Sequence, residues 1–275
     1  TMGDVKVGDT LFDEQGRMCR VTHATEVMHN HPCYRVRFSD GEKIVCDAEH
    51  LWTVNDRYSR KNPLTLTTEY MADRVDLPNK RGRSEKRYRI PLAKPLQVFN
   101  ENLIIDPYAL GVWLGDGTCR RASVTLAQWD AKEICDQIRW SGEMLRDLVV
   151  DEESHTCTGW MTRTYRNKTS FQGRLRQLNL LQNKHIPAMY LRAGHEQRLD
   201  LLQGIMDTDG HVSKKGACEI IIKYPKLADG FGELLSTLGI KYGRGVKYVQ
   251  LNGKRLGPYH RFHFTVHKNI EVFRL

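Results

Sequence analysis

The sequence lacks the patterns that would place it in a membrane, in an oxidising compartment or among zinc proteins. No apolar run in its 275 residues reaches the roughly 18 residues that a membrane-spanning helix requires, and its first residues show no secretory signal pattern. Its seven cysteines have no C-x-x-C spacing, which argues against both a disulfide framework and a structural zinc site. We therefore expect no membrane partner and a reducing location such as the cytoplasm.

The sequence also has fewer acidic than basic side chains. The chain carries 33 of them against 42 lysines and arginines, a formal net charge of +9, and this balance indicates either a polyanionic partner or a merely basic surface. The densest basic stretch, residues 80–89, is either a solvated loop or an arm that contacts phosphates. The side chains that we select there as candidate contacts are Lys80, Arg81, Arg83, Lys86 and Arg87.

Two similar stretches, residues 110–117 and 202–210, organise the second part of the chain. Residues four apart share a helix face, so small residues at that spacing let two helices approach closely. Such packing would bring Asp116 and Asp209 side by side at the C-terminal helix ends, where the helix dipoles add to the attraction for cations. This arrangement predicts a metal site built by duplication. The small residues are Gly111 and Gly115 in the first stretch, and Gly204 and Thr208 in the second.

Capping signals frame these two stretches. Asp106 followed by Pro107 predicts an N-cap and the first residue of a helix. Gly117 and Gly210 predict a left-handed residue that closes each helix. An alternative interpretation of the second Asp-Gly, as part of a calcium loop, fails because the twelfth loop position is Cys218 and not a bidentate glutamate. Aspartates that only cap helices would not explain two copies behind small-residue grooves.

The pattern of strands and helices indicates an α+β fold with an internal repeat. Residues 1 to about 55 alternate as half-buried strands do. After each Asp-Gly, a strand entered by two basic residues precedes a helix, which in the first half is expected at Asp130 to Leu148. The expected architecture is a mostly β module of residues 1–98, followed by two α-β-β-α-β-β-α half-domains at about 99–187 and 188–275.

The N-terminal module resembles part of an intein splicing domain, the HINT fold. Residues 2–9 and the segment Asp47-Ala48-Glu49-His50 carry the resemblance, where the family has a T-x-x-H-type motif. It implies that His50 assists the first acyl shift, with Asp47 in the threonine position; the alternative is a histidine that merely ends a strand. An intein begins with Cys or Ser and ends with His-Asn before Cys, Ser or Thr. This chain begins with Thr1 and ends with Leu275, so we expect no splicing from it as given, only within a longer parent.

Residues 202–210 match the LAGLIDADG pattern and residues 110–117 are a looser copy, so the second module resembles a single-chain, pseudo-twofold homing endonuclease encoded within an intein. The resemblance implies a site-specific, metal-dependent endodeoxyribonuclease that leaves short 3′ overhangs. Two or three Mg²⁺ ions would be shared by Asp116, Asp209 and DNA phosphates, with main-chain carbonyls of Gly115 and Thr208 as accessory ligands. Carboxylate oxygens suit Mg²⁺, and paired ions can polarise phosphate, activate water and stabilise the leaving oxygen.

Two lysines complete the expected catalytic set. The segment Lys184-His185-Ile186-Pro187 resembles the K-x-I-P element of the family. This resemblance implies that Lys184 polarises the water or stabilises charge, whereas the alternative is an ordinary loop lysine. For the other half we choose Lys254, with Lys223 as its rival.

The resemblance further implies a monomer that lays two antiparallel sheets along the major groove of a long, asymmetric double-stranded DNA site. An inactive DNA- or RNA-binding remnant, similar to maturases, is an alternative from another class. With no targeting signal, we expect a microbial or phage-encoded protein in the cytoplasm, or wherever the host DNA lies. Beyond the arm at residues 80–89, the candidate DNA contacts are Arg120, Arg121, Arg163, Arg166, Lys168, Lys214, Lys215, Lys223, Lys247, Arg255 and Arg261.

Overall fold

In a computed structural model, the chain forms two compact units, Thr1–Ala93 and Lys94–Leu275. The structure describes residues 2–78, 84–163, 170–251, 253–266 and 270–275. The boundary lies before the one expected at residues 98 and 99, because Leu96 is tied to the second unit by a 2.9 Å hydrogen bond from its N–H to the carbonyl of Thr237. No helix in the described ranges is long and apolar enough to cross a membrane.

The first unit is rich in short strands, as its alternating sequence predicts. Three two-stranded sheets pair β1 with β2, β3 with β4 and β7 with β8, and a three-stranded sheet has the order β6-β5-β9. A short 3₁₀ helix, Met2–Asp4, precedes them. The elements are β1 Thr10–Phe12, β2 Met18–Arg20, β3 Cys33–Arg37, β4 Lys43–Asp47, β5 Leu51–Asp56, β6 Leu64–Thr67, α1 Thr68–Ala72, β7 Asp76–Pro78, β8 Ser84–Lys86 and β9 Tyr88–Arg89.

The first unit buries little apolar surface. Among its described residues, the buried hydrophobic side chains are Ala48, Val54 and Met71. Large apolar side chains such as Val45 and Leu51 are instead more than 60% exposed. Because buried apolar area is the main favourable term in folding, these short sheets have little core to hold them together.

The second unit combines helices with two antiparallel sheets and is a mixed α+β structure. The first sheet has the strand order β10-β12-β11 and the second has the order β13-β14-β16-β15. The elements of the first half are α2 Pro107–Asp116, β10 Ser123–Ala127, α3 Gln128–Trp140, β11 Glu143–Asp151, β12 Thr156–Arg163 and α4 Phe171–Gln177. Those of the second are α5 Ala188–Leu191, α6 His195–Asp209, β13 Gly210–Val212, β14 Ala217–Ile222, α7 Pro225–Thr237, β15 Tyr242–Leu251 and β16 Lys254–Thr265.

The order of elements departs from the expected α-β-β-α-β-β-α pattern in both the first and the second half of this unit. In the first half, a single bridge between Gly117 and Val124 stands where the second half has β13. The segment before β10 is a tight turn, with the N–H of Arg121 bonded to the carbonyl of Thr118 at 3.2 Å, so the strand begins at Ser123 and not at Arg120. In the second half, the described residues after β16 form no closing helix.

The helix expected from Asp130 to Leu148 is wrong in its second part. Helix α3 ends at Trp140, and Gly142 follows with a φ of +82°, a left-handed conformation that ends helices. The chain then enters β11 at Glu143, whose buried carboxylate accepts two hydrogen bonds of 2.6 and 2.8 Å from the Arg174 guanidinium on α4. A pairing across 31 residues leaves no trace in local periodicity.

The start of α2 is as predicted. The side chain of Asp106 accepts a 3.1 Å hydrogen bond from the N–H of Ala109, and Pro107 opens the helix. The helix is buried nearly all round, with Tyr108, Leu110 and Trp113 at most 1% exposed. Fully burying side chains of this size stabilises a fold by about 1.5–3 kcal/mol each. Helix α2 is therefore central to the apolar core of this unit.

Asp106 should make the stability of the fold depend on pH. Burial raises its pKa to about 6, Asp200 adds to the rise, and the N–H of Ala109 opposes it. A carboxyl with a raised pKa binds more protons in the folded state, so its contribution to stability falls as pH rises from about 4 to about 6. The variant Asp106→Asn keeps an oxygen acceptor for the helix but carries no charge.

We expect Asp106→Asn to raise the free energy of unfolding on the order of 1 kcal/mol at pH 7 and to leave it unchanged below pH 4. Urea denaturation followed by tryptophan fluorescence at the two pH values measures this difference. An equal gain at both would mean that the charge of Asp106 is not its source.

Candidate functional site

The two helices that carry the Asp-Gly motifs pack backbone against backbone. A Cβ atom added to Gly111 of α2 would lie 2.5 Å from the carbonyl oxygen of Leu201 and 2.9 Å from the Cα of Gly204 on α6. A Cβ atom added to Gly204 would collide in turn with the carbonyl oxygen of Tyr108. These contacts define a helix seam, by which we mean the α2–α6 interface at Gly111 and Gly204.

Helices α2 and α6 remain in close contact up to their C-terminal ends. A Cβ atom on Gly115 would overlap the Thr208 hydroxyl and would lie 3.6 Å from Oδ2 of Asp209. The Thr208 hydroxyl donates within its own helix, to the carbonyls of Gly204 and Ile205 at 3.1 and 3.0 Å. The structure thus brings Asp209 to the last turn of α2, which itself ends at Asp116.

The glycines that follow the aspartates act differently from our prediction. Gly117 has a φ of −74° and Gly210 a φ of −81°, so neither is left-handed. A Cβ atom on Gly117 would collide with the carbonyl of Trp113, and one on Gly210 with the carbonyl of Met206. Glycine is needed at both positions because the chain folds tightly against the last helical turn before it becomes extended.

The two carboxylates form an electrostatically strained pair. Asp116 is half-buried; burial raises its pKa to about 7, repulsion by Asp209 adds to this, and Lys184 opposes it. Asp209 lies at the end of α6, where desolvation by the surrounding chain raises its pKa and the charge of Lys184 lowers it. A divalent cation between the two would relieve the repulsion.

The donor set fits a hard divalent ion that is only partly coordinated by protein. Within the described ranges, no group of three or more His, Cys, Asp or Glu side chains could hold a metal ion by itself. Asp116 and Asp209 supply carboxylate oxygens. In proteins, Mg²⁺ is commonly bound by one or two carboxylates, while water or phosphate oxygens complete its coordination shell. The site can therefore hold such an ion most firmly when a phosphate-bearing ligand is present.

Lys184 is buried beneath the same helix ends. Its side chain is 4% exposed, and its ammonium donates to the carbonyls of Leu114 and Gly115, both at 2.9 Å. It also lies 5.1 Å from the ring centroid of Trp113. Burial lowers the pKa of Lys184 to about 8, although Asp209 and Asp116 oppose the shift. The Gly115 carbonyl, expected as an accessory metal ligand, thus already accepts this hydrogen bond.

A cavity of about 440 Å³ opens beside Asp209. Lys223 lines it, so this lysine is near the second carboxylate, whereas Lys254 stands at the turn of the β15–β16 hairpin, paired with Leu251. Sequence reasoning missed the two aromatic residues that share this cavity, since neither belongs to a motif. The cavity is lined by Leu114, Gly115, Asp209, Ile221, Ile222, Lys223, Tyr224, Leu227, Val249, Leu256 and Tyr259.

The candidate DNA-contacting residues differ in their exposure and in the partners they already have. Exposed cations are Arg120 and Arg121 before β10, Lys214 and Lys215 between β13 and β14, Lys223 after β14, and Lys247 on β15, with Arg121 over the ring of Trp160 and Lys223 over the ring of Tyr224. Lys86, Arg255 and Arg261 are exposed as well, but Lys86 pairs with Asp76, Arg261 pairs with Glu219 and Arg255 lies over the ring of Tyr248, whereas half-buried Arg87 pairs with Asp56. Arg163 ends β12, and Lys80, Arg81, Arg83, Arg166 and Lys168 lie outside the described residues.

Arg87 is the clearest case of a candidate held within its own unit. Its guanidinium donates to both carboxylate oxygens of buried Asp56, at 3.0 and 2.8 Å, and these bonds lower the pKa of Asp56. A forked ion pair with a buried carboxylate is costly to break. Arg87 therefore stabilises the first unit through Asp56, and its guanidinium is not free to contact a DNA phosphate.

The candidate splicing residues are joined through the backbone, since the N–H of His50 donates to the carbonyl of Asp47 at 3.2 Å, but their side chains have different partners. Asp47 ends β4 and its carboxylate is 2.9 Å from Nδ1 of His31. The exposed ring of His50 instead packs against Trp52, with ring centroids 4.8 Å apart. Asp47 thus orients His31, a residue that the motif alone did not single out.

The C-terminal part of this unit matches a family model with the description LAGLIDADG-like domain, over residues 196–273. The match includes α6 with Asp209 and the whole second sheet. It does not extend to α2, which contributes Asp116 from the other side of the helix seam.

The chain is also similar to two mycobacterial proteins and to two solved structures. It is 34% identical over 267 residues to a replicative DNA helicase DnaB of Mycobacterium intracellulare, covering 91% of this chain and 42% of the relative. It is 40% identical over 82 residues to the DnaB of Mycobacterium leprae (strain TN), covering 30% of this chain and 14% of that protein. The chain thus spans less than half the length of these relatives.

The two solved structures have low identity to this chain. One is I-DmoI in complex with DNA and Mn, with 13% identity, a TM-score of 0.40, and coverage of 59% of this chain and 89% of that one. The other is the N-terminal LAGLIDADG domain of DUF199/WhiA, with 9% identity, a TM-score of 0.34, and coverage of 58% and 77%.

Proposed function

We propose that the second unit is a homing endonuclease that cuts both strands of a specific double-stranded DNA site. The observation that carries this proposal is the convergence of Asp116 and Asp209 at the ends of α2 and α6, where the buried ammonium of Lys184 bonds the carbonyls of Leu114 and Gly115. Two carboxylates that can hold metal ions, with one cation beside them, can support metal-assisted phosphodiester hydrolysis.

Asp116 and Asp209 would hold Mg²⁺ together with phosphate oxygens of the DNA. The ion, when bound, supplies Lewis-acid polarisation of the phosphate and lowers the pKa of a nearby water. The repulsion between the two carboxylates keeps the pair ready for a cation. Each aspartate serves one DNA strand in this proposal, so the enzyme acts as a monomer and leaves short 3′ overhangs.

Lys184 acts from beneath the carboxylates. Its two hydrogen bonds to the last carbonyls of α2 fix its ammonium within the field of both aspartates, where it can stabilise the negative charge that develops on the phosphate. Its buried position keeps bulk water from screening that charge.

We expect Lys184→Met to slow DNA cleavage about 100-fold, the typical cost of losing one preorganised donor. Methionine keeps the apolar stem but carries no charge. Cleavage time courses in Mg²⁺ measure the loss, and DNA affinity in Ca²⁺ should stay unchanged. Lys226→Met is the matched control, since exposed Lys226 bonds the neighbouring Asn183 at 2.9 Å. Cleavage by Lys184→Met at the wild-type rate would leave this lysine a purely structural role.

The two sheets provide the surface for DNA. Both long hairpins contain a register shift, at Arg146/Val149 in the first sheet and at Lys247/Val249 in the second, and such bulges bend and twist a sheet. A bent antiparallel ribbon can enter the major groove. The halves differ in their exposed cations, so we propose a long asymmetric target.

The proposal is tested by selecting cleaved sites from a randomised double-stranded DNA library. We expect the chain to enrich one long site with Mg²⁺, to bind that site without cutting it in Ca²⁺, and to do neither on a scrambled duplex. Binding without cleavage in every divalent ion would instead identify an inactive DNA- or RNA-binding remnant, the alternative function.

We also infer that the chain derives from an intein and that its target lies in a helicase gene. The supporting observation is that 91% of the chain aligns with one mycobacterial DnaB, while residues 2–9 and 47–50 resemble a splicing domain. The thin core of the first unit is consistent with a module completed by other segments in a longer parent. The inference predicts that the selected site matches a DnaB-coding sequence.

A further inference from the structure

The last residues of the chain lie along α6 and are bonded to it at several points. The carbonyl of Glu271 accepts a 2.6 Å hydrogen bond from the Gln203 side chain, and Val272 is 4% exposed in the core. The backbone N–H of Arg274 donates to Oδ1 of Asp207 at 3.0 Å. We call residues 270–275 the C-terminal strap.

The Arg274 side chain joins three helices. Its guanidinium donates to Gln203 on α6 at 2.7 Å and to Gln137 on α3 at 3.1 Å, and it pairs with Asp200 on α6. It also lies over the ring of Tyr108 on α2, 4.3 Å from the ring centroid. A planar guanidinium with several fixed donors is suited to such bridging.

Asp207 links this strap to the helix seam. Its buried carboxylate accepts from Arg274 through one oxygen and from the Tyr108 hydroxyl, at 2.8 Å, through the other. Asp207 lies two residues before Asp209, within the last turn of α6. The corresponding residue of the first stretch is Leu114, whose helix end is held by Lys184 instead.

Each helix end is therefore fixed by a segment from the end of its own half. The last turn of a helix lacks internal partners for its carbonyls and frays readily. Lys184 supplies hydrogen-bond donors to two such carbonyls on α2. On α6 the strap instead bonds the side chain of Asp207, two residues before Asp209. The two halves are unequal in how firmly they hold their aspartates.

We propose that Arg274, acting through Asp207, is a positioning residue that sets Asp209 for the cleavage of one DNA strand. This inference rests on the proposed nuclease function. Because the contact of Arg274 with α2 is at Tyr108, near the start of that helix, whereas it contacts α6 at Asp207, two residues before Asp209, its loss should disturb Asp209 more than Asp116.

The test follows the two DNA strands separately, with a different fluorophore on each 5′ end of the selected site. Asp209→Asn and Asp116→Asn first identify which strand each aspartate serves. We expect Arg274→Ala to slow cutting of the Asp209 strand about tenfold or more and of the other strand less than about threefold, so that nicked DNA accumulates. Arg274→Lys keeps one donor and should restore part of the rate.

Controls separate positioning from loss of folding. Arg192→Ala removes another arginine of this unit that forms an ion pair, with Glu233 at 2.7 Å, and should leave both strands at wild-type rates. If Arg274→Ala unfolds, Asp207→Asn tests the same contact with little change in shape, and should also favour nicks. Equal slowing of both strands in the folded variants would overturn the inference. A wild-type chain that cuts neither strand would overturn the nuclease proposal itself, and this inference with it.

Discussion

Asp209→Asn should turn a double-strand cut into a nick. Asparagine has the shape of aspartate but offers one neutral oxygen, so the ion serving that strand loses its charged protein ligand. The loss of metal-assisted charge stabilisation is worth several kcal/mol, about a thousandfold in rate. Asp116→Asn should spare the strand that Asp209→Asn blocks, and the double variant should cut neither.

Denaturing gels of a duplex labelled on both strands measure each rate directly. Binding of the same duplex in Ca²⁺ is the control, and we expect it to change less than about threefold because most affinity comes from phosphate contacts of the sheets. Continued cleavage by the double variant would remove both aspartates from the mechanism. Loss of both strands in each single variant would instead mean that the two carboxylates act as one shared site.

The sequence predicts the parts of this site that depend on local rules. The Asp106 N-cap is confirmed, since its side chain bonds the N–H of Ala109. The four-residue spacing of Gly111 and Gly115, and of Gly204 and Thr208, predicts two closely packed helices, and the backbone contacts between α2 and α6 are as expected. Both inferences rest on residues within one helical turn, where spacing alone fixes which side chains share a face.

The parts that sequence reasoning missed depend on partners far apart in the chain. Nothing near Glu143 indicates that Arg174 will bury its carboxylate, and that pairing is where the expected helix gives way to β11. The basic run around Arg87 predicts a phosphate contact, but its guanidinium is already hydrogen-bonded to Asp56. The sequence shows which residues are charged, whereas the fold determines which residue each of them pairs with.

The glycines after the two aspartates show how one residue type can serve two physical purposes. A glycine at a helix end usually provides a positive φ. Gly117 and Gly210 instead have ordinary φ values and are needed for lack of a side chain against the preceding turn. Sequence cannot separate these purposes, and the second one aligns the aspartates by keeping the chain close to the helix.

Gly111→Ala should destabilise the second unit by at least about 2 kcal/mol, as overpacking does in tightly packed cores. The new methyl group would meet the backbone of Leu201 and Gly204 at 2.5 and 2.9 Å, and backbone cannot rotate away as a side chain does. Alanine's better helix propensity, worth up to about 1 kcal/mol, offsets only part of that cost.

Gly245→Ala is the matched control for Gly111→Ala, because a Cβ atom on Gly245 would meet no atom within 4 Å. We expect its free energy of unfolding to change by less than about 0.5 kcal/mol. Where Gly111→Ala still folds, its helices must move apart, and Asp116 and Asp209 must separate with them. Cutting of both strands should then fall together, in contrast to the strand-by-strand loss of the aspartate variants. A stable Gly111→Ala variant that cuts at the wild-type rate would mean that close contact at the helix seam is not what aligns the carboxylates.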